Sequence, residues 1–166
     1  MTITHRAMPI GEAALKELRT RDDAGREPAP YTDDEGGAPL RCCLRPSAVA
    51  ERIALVSYAP LRRWAAATGA EPGAYDEQGP VFIHAEDCGG AADGPGYPFA
   101  PAGLQRIARR YSARGHILGG RVLALGEDPD AVIGQALDEA FADPEVALVH
   151  LRAAEFGCFL YEVRRP

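Results

Sequence analysis

Apolar positions along this chain recur at two spacings, and the switches between them mark out the elements. Ile10, Ala14, Leu15 and Leu18 fall at helical spacing and predict a helix over residues 10–19. A short edge strand is expected before it, over residues 2–6. From Arg21 to Pro39 the chain is polar and rich in Asp, Gly and Pro, which reads as a long loop. Strands are expected at 40–45 and 52–58, with a turn at Pro46-Ser47 between them. Ile53 to Tyr58 is apolar on both faces, so this strand belongs inside a sheet. Pro60 closes it, and residues 62–74 read as a connection through Gly69, Pro72 and Gly73.

The stretch Gly79-Pro80-Val81-Phe82-Ile83-His84-Ala85-Glu86-Asp87-Cys88 is the centre of the pattern. Gly-Pro stops whatever precedes it, and Val81 to Ile83 is too short and too β-branched for a helix. In a strand, Val81, Ile83 and Ala85 share one face, and Phe82, His84 and Glu86 the other. A glycine-rich stretch follows to Pro101. Leu104, Ile107, Ala108 and Tyr111 then stand at i, i+3, i+4 and i+7 and predict a helix, with Arg106, Arg109, Arg110 and Arg114 on its solvated face.

Residues 116–125 read as a strand bulged at Gly119-Gly120. Asp128 as N-cap, Pro129 in the first turn and Asp143-Pro144 as a stop delimit a helix with the stripe Ile133, Ala136, Leu137, Ala140 and Phe141. Strands at 145–152 and 157–164, joined through residues 153–156, form a C-terminal β-hairpin. The class is α+β: a single domain over residues 1–166, with a mixed or antiparallel sheet and two or three helices. The closing strand, helix, strand, strand is compatible with half of a ferredoxin-like arrangement.

Composition narrows the function classes. The chain has 166 residues, 46% of them apolar and 25% charged, which suits one buried core and argues against disorder. A net charge of -6 works against nucleic acid as the main partner. Lys16 is the only lysine, and the other basic residues are arginine. With abundant Ala, Gly and Pro, this points to a high-GC bacterial genome. Residues 1–15 lack a signal-peptide apolar run and no segment approaches the roughly 20 apolar residues of a membrane span, so a cytoplasmic protein is expected. In that compartment Cys42, Cys43, Cys88 and Cys158 are expected as thiols.

Several pieces, taken in order, resemble a known family. They are Pro39-Leu40-Arg41-Cys42-Cys43-Leu44-Arg45, Glu51-Arg52-Ile53-Ala54-Leu55-Val56-Ser57-Tyr58, Gly79 to His84, Phe141 to Ala147, and Gly157-Cys158-Phe159. Together they resemble the bacterial domain-of-unknown-function family 1203 over nearly the whole chain. The resemblance implies a bacterial protein without an established activity, and supplies no catalytic residues.

Three readings of the chemistry follow. The leading one is a small-ligand-binding or interaction module, with a pocket between the sheet and the loops at 21–39 and 89–101. Arg45, Tyr58, His84 and Cys88 would supply its contacts. The first alternative is a metal site, zinc among the candidates: His84-x-x-x-Cys88 as a half-site, completed by Cys43 or Cys42 and by His150 or Cys158. On a strand, adjacent cysteines face opposite ways, so only one of Cys42 and Cys43 is expected in it. A four-residue hairpin loop would likewise set His150 and Cys158 on opposite faces, whereas three or five residues would unite them. The second alternative is a thiol-dependent enzyme, with Arg41 and Arg45 near Cys43 and His84 near Cys88. No P-loop, dinucleotide-binding glycine pattern, His-Glu-x-x-His or nucleophile elbow is present.

Overall fold

A computed structural model describes residues 4–166. In it the chain forms two sheets that meet near the C-terminal hairpin. The first has five strands in the order β1-β4-β5-β2-β3: β1 Tyr31–Asp33, β2 Pro39–Leu40, β3 Arg45–Pro46, β4 Glu51–Tyr58 and β5 Gly79–His84. All its pairings are antiparallel except β2 with β5, which is parallel with Leu40 beside Phe82. The second is antiparallel, in the order β7-β6-β8-β9: β6 Gln105–Ser112, β7 Ile117–Ala124, β8 Val146–Ala153 and β9 Phe159–Arg164.

Three helices cover the sheets. Helix α1, Glu12–Thr20, buries Leu15 and Leu18 in the core of the five-stranded sheet, in one cluster with Val56, Val81 and Ile83. Helix α2, Pro60–Thr68, packs Leu61 and Trp64 against Tyr111 and Leu148. Helix α3, Pro129–Ala142, lays Ile133, Leu137 and Phe141 over Val149, Leu151 and Tyr161 on the opposite face of the four-stranded sheet. The Asp128 side chain caps α3 by accepting from the Ala131 amide at 3.1 Å, as its sequence suggests. Strands β7 and β8 are both antiparallel to β6, hence parallel to each other with β6 between them. With α3 as the crossover this is a split β-α-β unit.

The α+β class and the hairpin stand, and four local expectations are corrected. Residues 101–114 are not a helix. Gly103, with φ +80°, turns the chain after Pro101, and Gln105–Ser112 enters the sheet as a central strand bonded on both sides. The 3.6-residue pattern was real but short, and two full ladders outweigh it. Of its arginines only Arg114 is exposed: Arg106 is buried and donates to Phe99 O at 2.8 Å, and Arg109 is half-buried and ion-paired with Glu77. Residues 40–45 are not one strand. They are β2, a turn at 41–44 and β3, with Leu44 in the left-handed region at φ 57° to let the chain reverse.

Residues 62–74, read as a connection, hold most of α2, which Gly69 terminates at φ 77°. Of the edge strand expected over 2–6, residues 2 and 3 lie outside the described residues, and 4–6 are not in a strand. The bulge falls beside Gly119, where Arg110 pairs Gly119 while Tyr111 pairs Ile117. No helix among the described residues is long and apolar enough to cross a membrane.

A candidate metal centre

The parallel pairing of β2 with β5 builds the site. Leu40 lies beside Phe82, and the Arg41 amide donates to Phe82 O at 2.9 Å, so the register runs on past the end of β2. Two residues further along each chain, Cys42 comes beside His84. There the ladder changes character, since the His84 amide donates to Cys42 Sγ at 3.2 Å instead of to a carbonyl. The tight 41–44 turn then folds Cys43 onto the same side. Because the two cysteines sit on a turn rather than a strand, their side chains are not forced apart, and the expectation that only one could join a site is overturned. The chain leaving β5 brings Cys88 back, completing a cluster of Cys42, Cys43, His84 and Cys88 whose ligand atoms all lie within 4.8 Å of one another.

The three edges among Cys42, Cys43 and His84 match those of a tetrahedral ion. Zinc bound at ordinary distances requires S···S edges of about 3.8 Å and S···N edges of about 3.6 Å. Cys42 Sγ and Cys43 Sγ are 3.9 Å apart, and His84 Nδ1 lies 3.3 and 3.7 Å from them. All four cysteines are free thiols.

The far side of the imidazole is fixed by a carboxylate. His84 Nε2 is 3.1 Å from Glu51 Oε1, at the first residue of β4. Arg45 grips Glu51 with two bonds, Nη1 to Oε2 at 3.1 Å and Nη2 to Oε1 at 2.6 Å, and the Ala48 amide donates to Oε2 at 2.8 Å. Arg45, followed by Ala48 and His84, holds the Glu51 carboxyl down at about 2. A carboxylate held ionised in this way accepts a hydrogen bond from Nε2–H, leaving the Nδ1 lone pair turned toward the sulfurs. This is the carboxylate–histidine pairing that orients metal-bound imidazoles.

The sulfurs differ in character. Cys42 is fully buried, and its hydrogen bond to Cys43, reinforced by burial, pushes its thiol up. Cys43 accepts that bond, which pulls its own thiol down to about 6 against the cost of burial; the Arg45 amide and the Arg45 charge assist. The pair therefore holds one proton readily and gives up the other near neutrality. Cys43 also borders a cavity of about 470 Å³ between the segment at Thr4–Pro9 and the loop at 91–98, which is an approach to the cluster from solvent.

The remaining sequence candidates go elsewhere. Arg45 stands behind the cluster as the anchor of Glu51. Tyr58 is at the other end of β4, buried with its ring on Phe159 at 5.6 Å between centroids. His150 is fully buried on β8, with Nε2 3.0 Å from Glu162 Oε2, and does not join the cysteines. A bulge in the hairpin pairs Leu151 with Tyr161 and Arg152 with Phe159, and leaves Cys158 outside the strands. Glu51 was not singled out by sequence, since a carboxylate opening a strand carries no signal of its own.

Fold and cluster together define an α+β protein in which three cysteines and one histidine form a group capable of coordinating a metal ion. The chain belongs to the DUF1203 family, described as a protein of unknown function, whose family model matches residues 37–165. That span contains every residue of the cluster and its Glu51–Arg45 support. No curated protein and no solved structure matches the chain.

Proposed function

We propose that the chain is a metal-binding protein that holds one thiophilic ion, Zn²⁺ first among them, through Cys42, Cys43, His84 and Cys88. The observation that carries this reading is the agreement of the edges among Cys42, Cys43 and His84, 3.9, 3.3 and 3.7 Å, with those of a tetrahedral site, and the presence of Cys88 within 4.8 Å of all three. Three thiolates and an imidazole favour zinc, copper(I) or iron over hard cations. Four protein ligands describe a closed site, one that stabilises structure rather than activating water. The hydrogen bond that the His84 amide donates to Cys42 Sγ and the neighbouring Arg45 offset the negative charge that three thiolates leave on a divalent ion.

Elemental analysis of protein purified without chelator tests the reading. Close to one metal per chain is expected, falling toward zero in His84→Ala with Cys88→Ala. Cobalt(II) added to stripped protein should give intense thiolate-to-metal charge-transfer absorption. Zinc binding weaker than about 1 µM would overturn the proposal.

A second reading, thiol chemistry at Cys43, rests on its lowered pKa of about 6. Rapid alkylation of Cys43 in metal-loaded protein, as fast as in stripped protein, would favour it over a resident metal.

A further inference from the structure

The two sheets meet again at the opposite end of β4. There the exit of β4 and the entry to β5 face the β8–β9 turn and enclose a cavity of about 140 Å³. At about 30 Å³ per water this is room for four or five waters, so an occupant has only a few non-hydrogen atoms. Tyr58, Gln78, Pro80, Arg152, Cys158 and Phe159 are in its wall. None of them belongs to the cysteine cluster.

The wall carries one base, Arg152, and one acid, Glu77, and that acid is also claimed by a guanidinium outside the wall. The Arg152 side chain is only 12% exposed. Its Nε donates to Gly157 O at 2.8 Å and its Nη1 to Glu77 Oε1 at 3.3 Å, while Nη2 has no partner among the described residues. Glu77 Oε1 also receives Arg109, so two guanidiniums share one carboxylate. The other acids that act on Tyr58 are already engaged, Glu162 by His150 and Arg164 and Asp23 by Arg63. Burial, and then the charge of Arg109, press the Arg152 pKa downward. Arg152 thus shares its one counter-ion with Arg109 in a largely buried place, an arrangement that a further anion stabilises. The Tyr58 hydroxyl, too, makes no hydrogen bond to the described residues.

We propose that this cavity binds a small organic carboxylate, with Arg152 Nη2 and the Tyr58 hydroxyl donating to its oxygens and Phe159 and Pro80 receiving its apolar remainder. Glu77 stays with Arg109 when this happens, because the ligand takes a nitrogen that Glu77 does not use. An inorganic oxyanion satisfies the charge but has nothing to place on the aromatic wall, so a short carboxylic acid is preferred. The site stands independently of whether the cysteine cluster holds a metal.

The test is a titration of full-length protein with sodium propionate, followed by amide and arginine Nε–H NMR shifts, with sodium phosphate and sodium chloride at matched ionic strength as controls. Saturable shifts confined to Gln78, Arg152 and Gly157–Phe159 are expected with propionate, half-complete at or below about 10 mM. Arg152→Gln should weaken binding about tenfold or more, the loss of a charged hydrogen bond. Tyr58→Phe, which keeps the ring in place, should weaken it severalfold, and it keeps the proposal testable if the arginine variant does not fold. Equal shifts with chloride, tighter binding of phosphate than of propionate, or unchanged affinity in Tyr58→Phe would each overturn it.

Discussion

His84 and His150 are built alike up to one atom. Each is buried, and each has Nε2 about 3 Å from a carboxylate, Glu51 at 3.1 Å and Glu162 at 3.0 Å. Each of those carboxylates is in turn held by an arginine, Arg45 or Arg164. The difference is at Nδ1. In His84 it points into a group of sulfurs, whereas in His150 it is sealed in with no partner among the described residues. Tyr111 and Phe159 lie against the His150 ring at 4.7 and 5.0 Å between centroids. The same carboxylate–imidazole unit thus serves structure in one sheet and presents a free ligand atom in the other. What surrounds the second nitrogen decides which.

The comparison breaks most forcefully at His150. Replacing it with leucine leaves the buried Oε2 of the charged Glu162 carboxylate without a partner, Arg164 keeping only Oε1, and should destabilise the fold by about 3–5 kcal/mol in urea melts without changing metal content. His84→Ala should do the reverse, abolishing tight metal binding while costing the stripped protein much less. Equal losses of stability in the two stripped variants would erase the distinction.

Stripping the metal from wild-type protein is expected to remove nearly as much. At a free-metal excess of about a thousand times Kd, chelation should lower unfolding stability by about 4 kcal/mol, and should do nothing in a Cys42→Ser, Cys43→Ser variant. Calorimetry with and without chelator reads this directly. Glu51→Gln comes next: the imidazole loses its charged anchor, and metal affinity should fall about 10–100-fold in competition titrations while the fold persists.

The smallest effects are those of pH. Burial lowers the His150 pKa, with Glu162 opposing through a hydrogen bond and its charge. The folded protein therefore binds fewer protons there than the unfolded chain, and the stability this contributes is complete above about pH 6.5 and drains away as pH falls below it. A plot of unfolding free energy against pH should slope accordingly in wild type, and the slope should flatten in His150→Leu. In stripped protein the alkylation rate of Cys43 should hold nearly constant from pH 9 down and drop only near pH 6, where its thiolate takes up a proton.

Where the sequence could be read, a local signal was strong enough to survive folding. Asp128-Pro129 and Asp143-Pro144 bracket α3 whatever its surroundings, because the cap and the missing amide act within one turn. Val81 to Ile83 is too short and branched for anything but a strand. Residues 104–111 misled because a run of eight fits two periods at once. Only two neighbouring strands, remote in sequence, chose between them. The cluster was legible in kind but not in membership. His84, Cys88 and one vicinal cysteine were candidates from residue type alone, yet the second cysteine was ruled out by a strand that proved to be a turn.

By itself the sequence determined the class of fold, the α3 helix, the central β5 strand and the presence of soft ligands near its end. Those follow from forces that act over a few residues: dihedral preference, capping and the burial of a periodic face. Only the tertiary structure decided that Cys42 stands beside His84, that Glu51 and Arg45 stand behind it, and that Tyr58 and Arg152 share a different cavity. Each of these depends on a register between segments far apart in the chain, and a single-residue shift in either sheet would have turned those side chains to the opposite face.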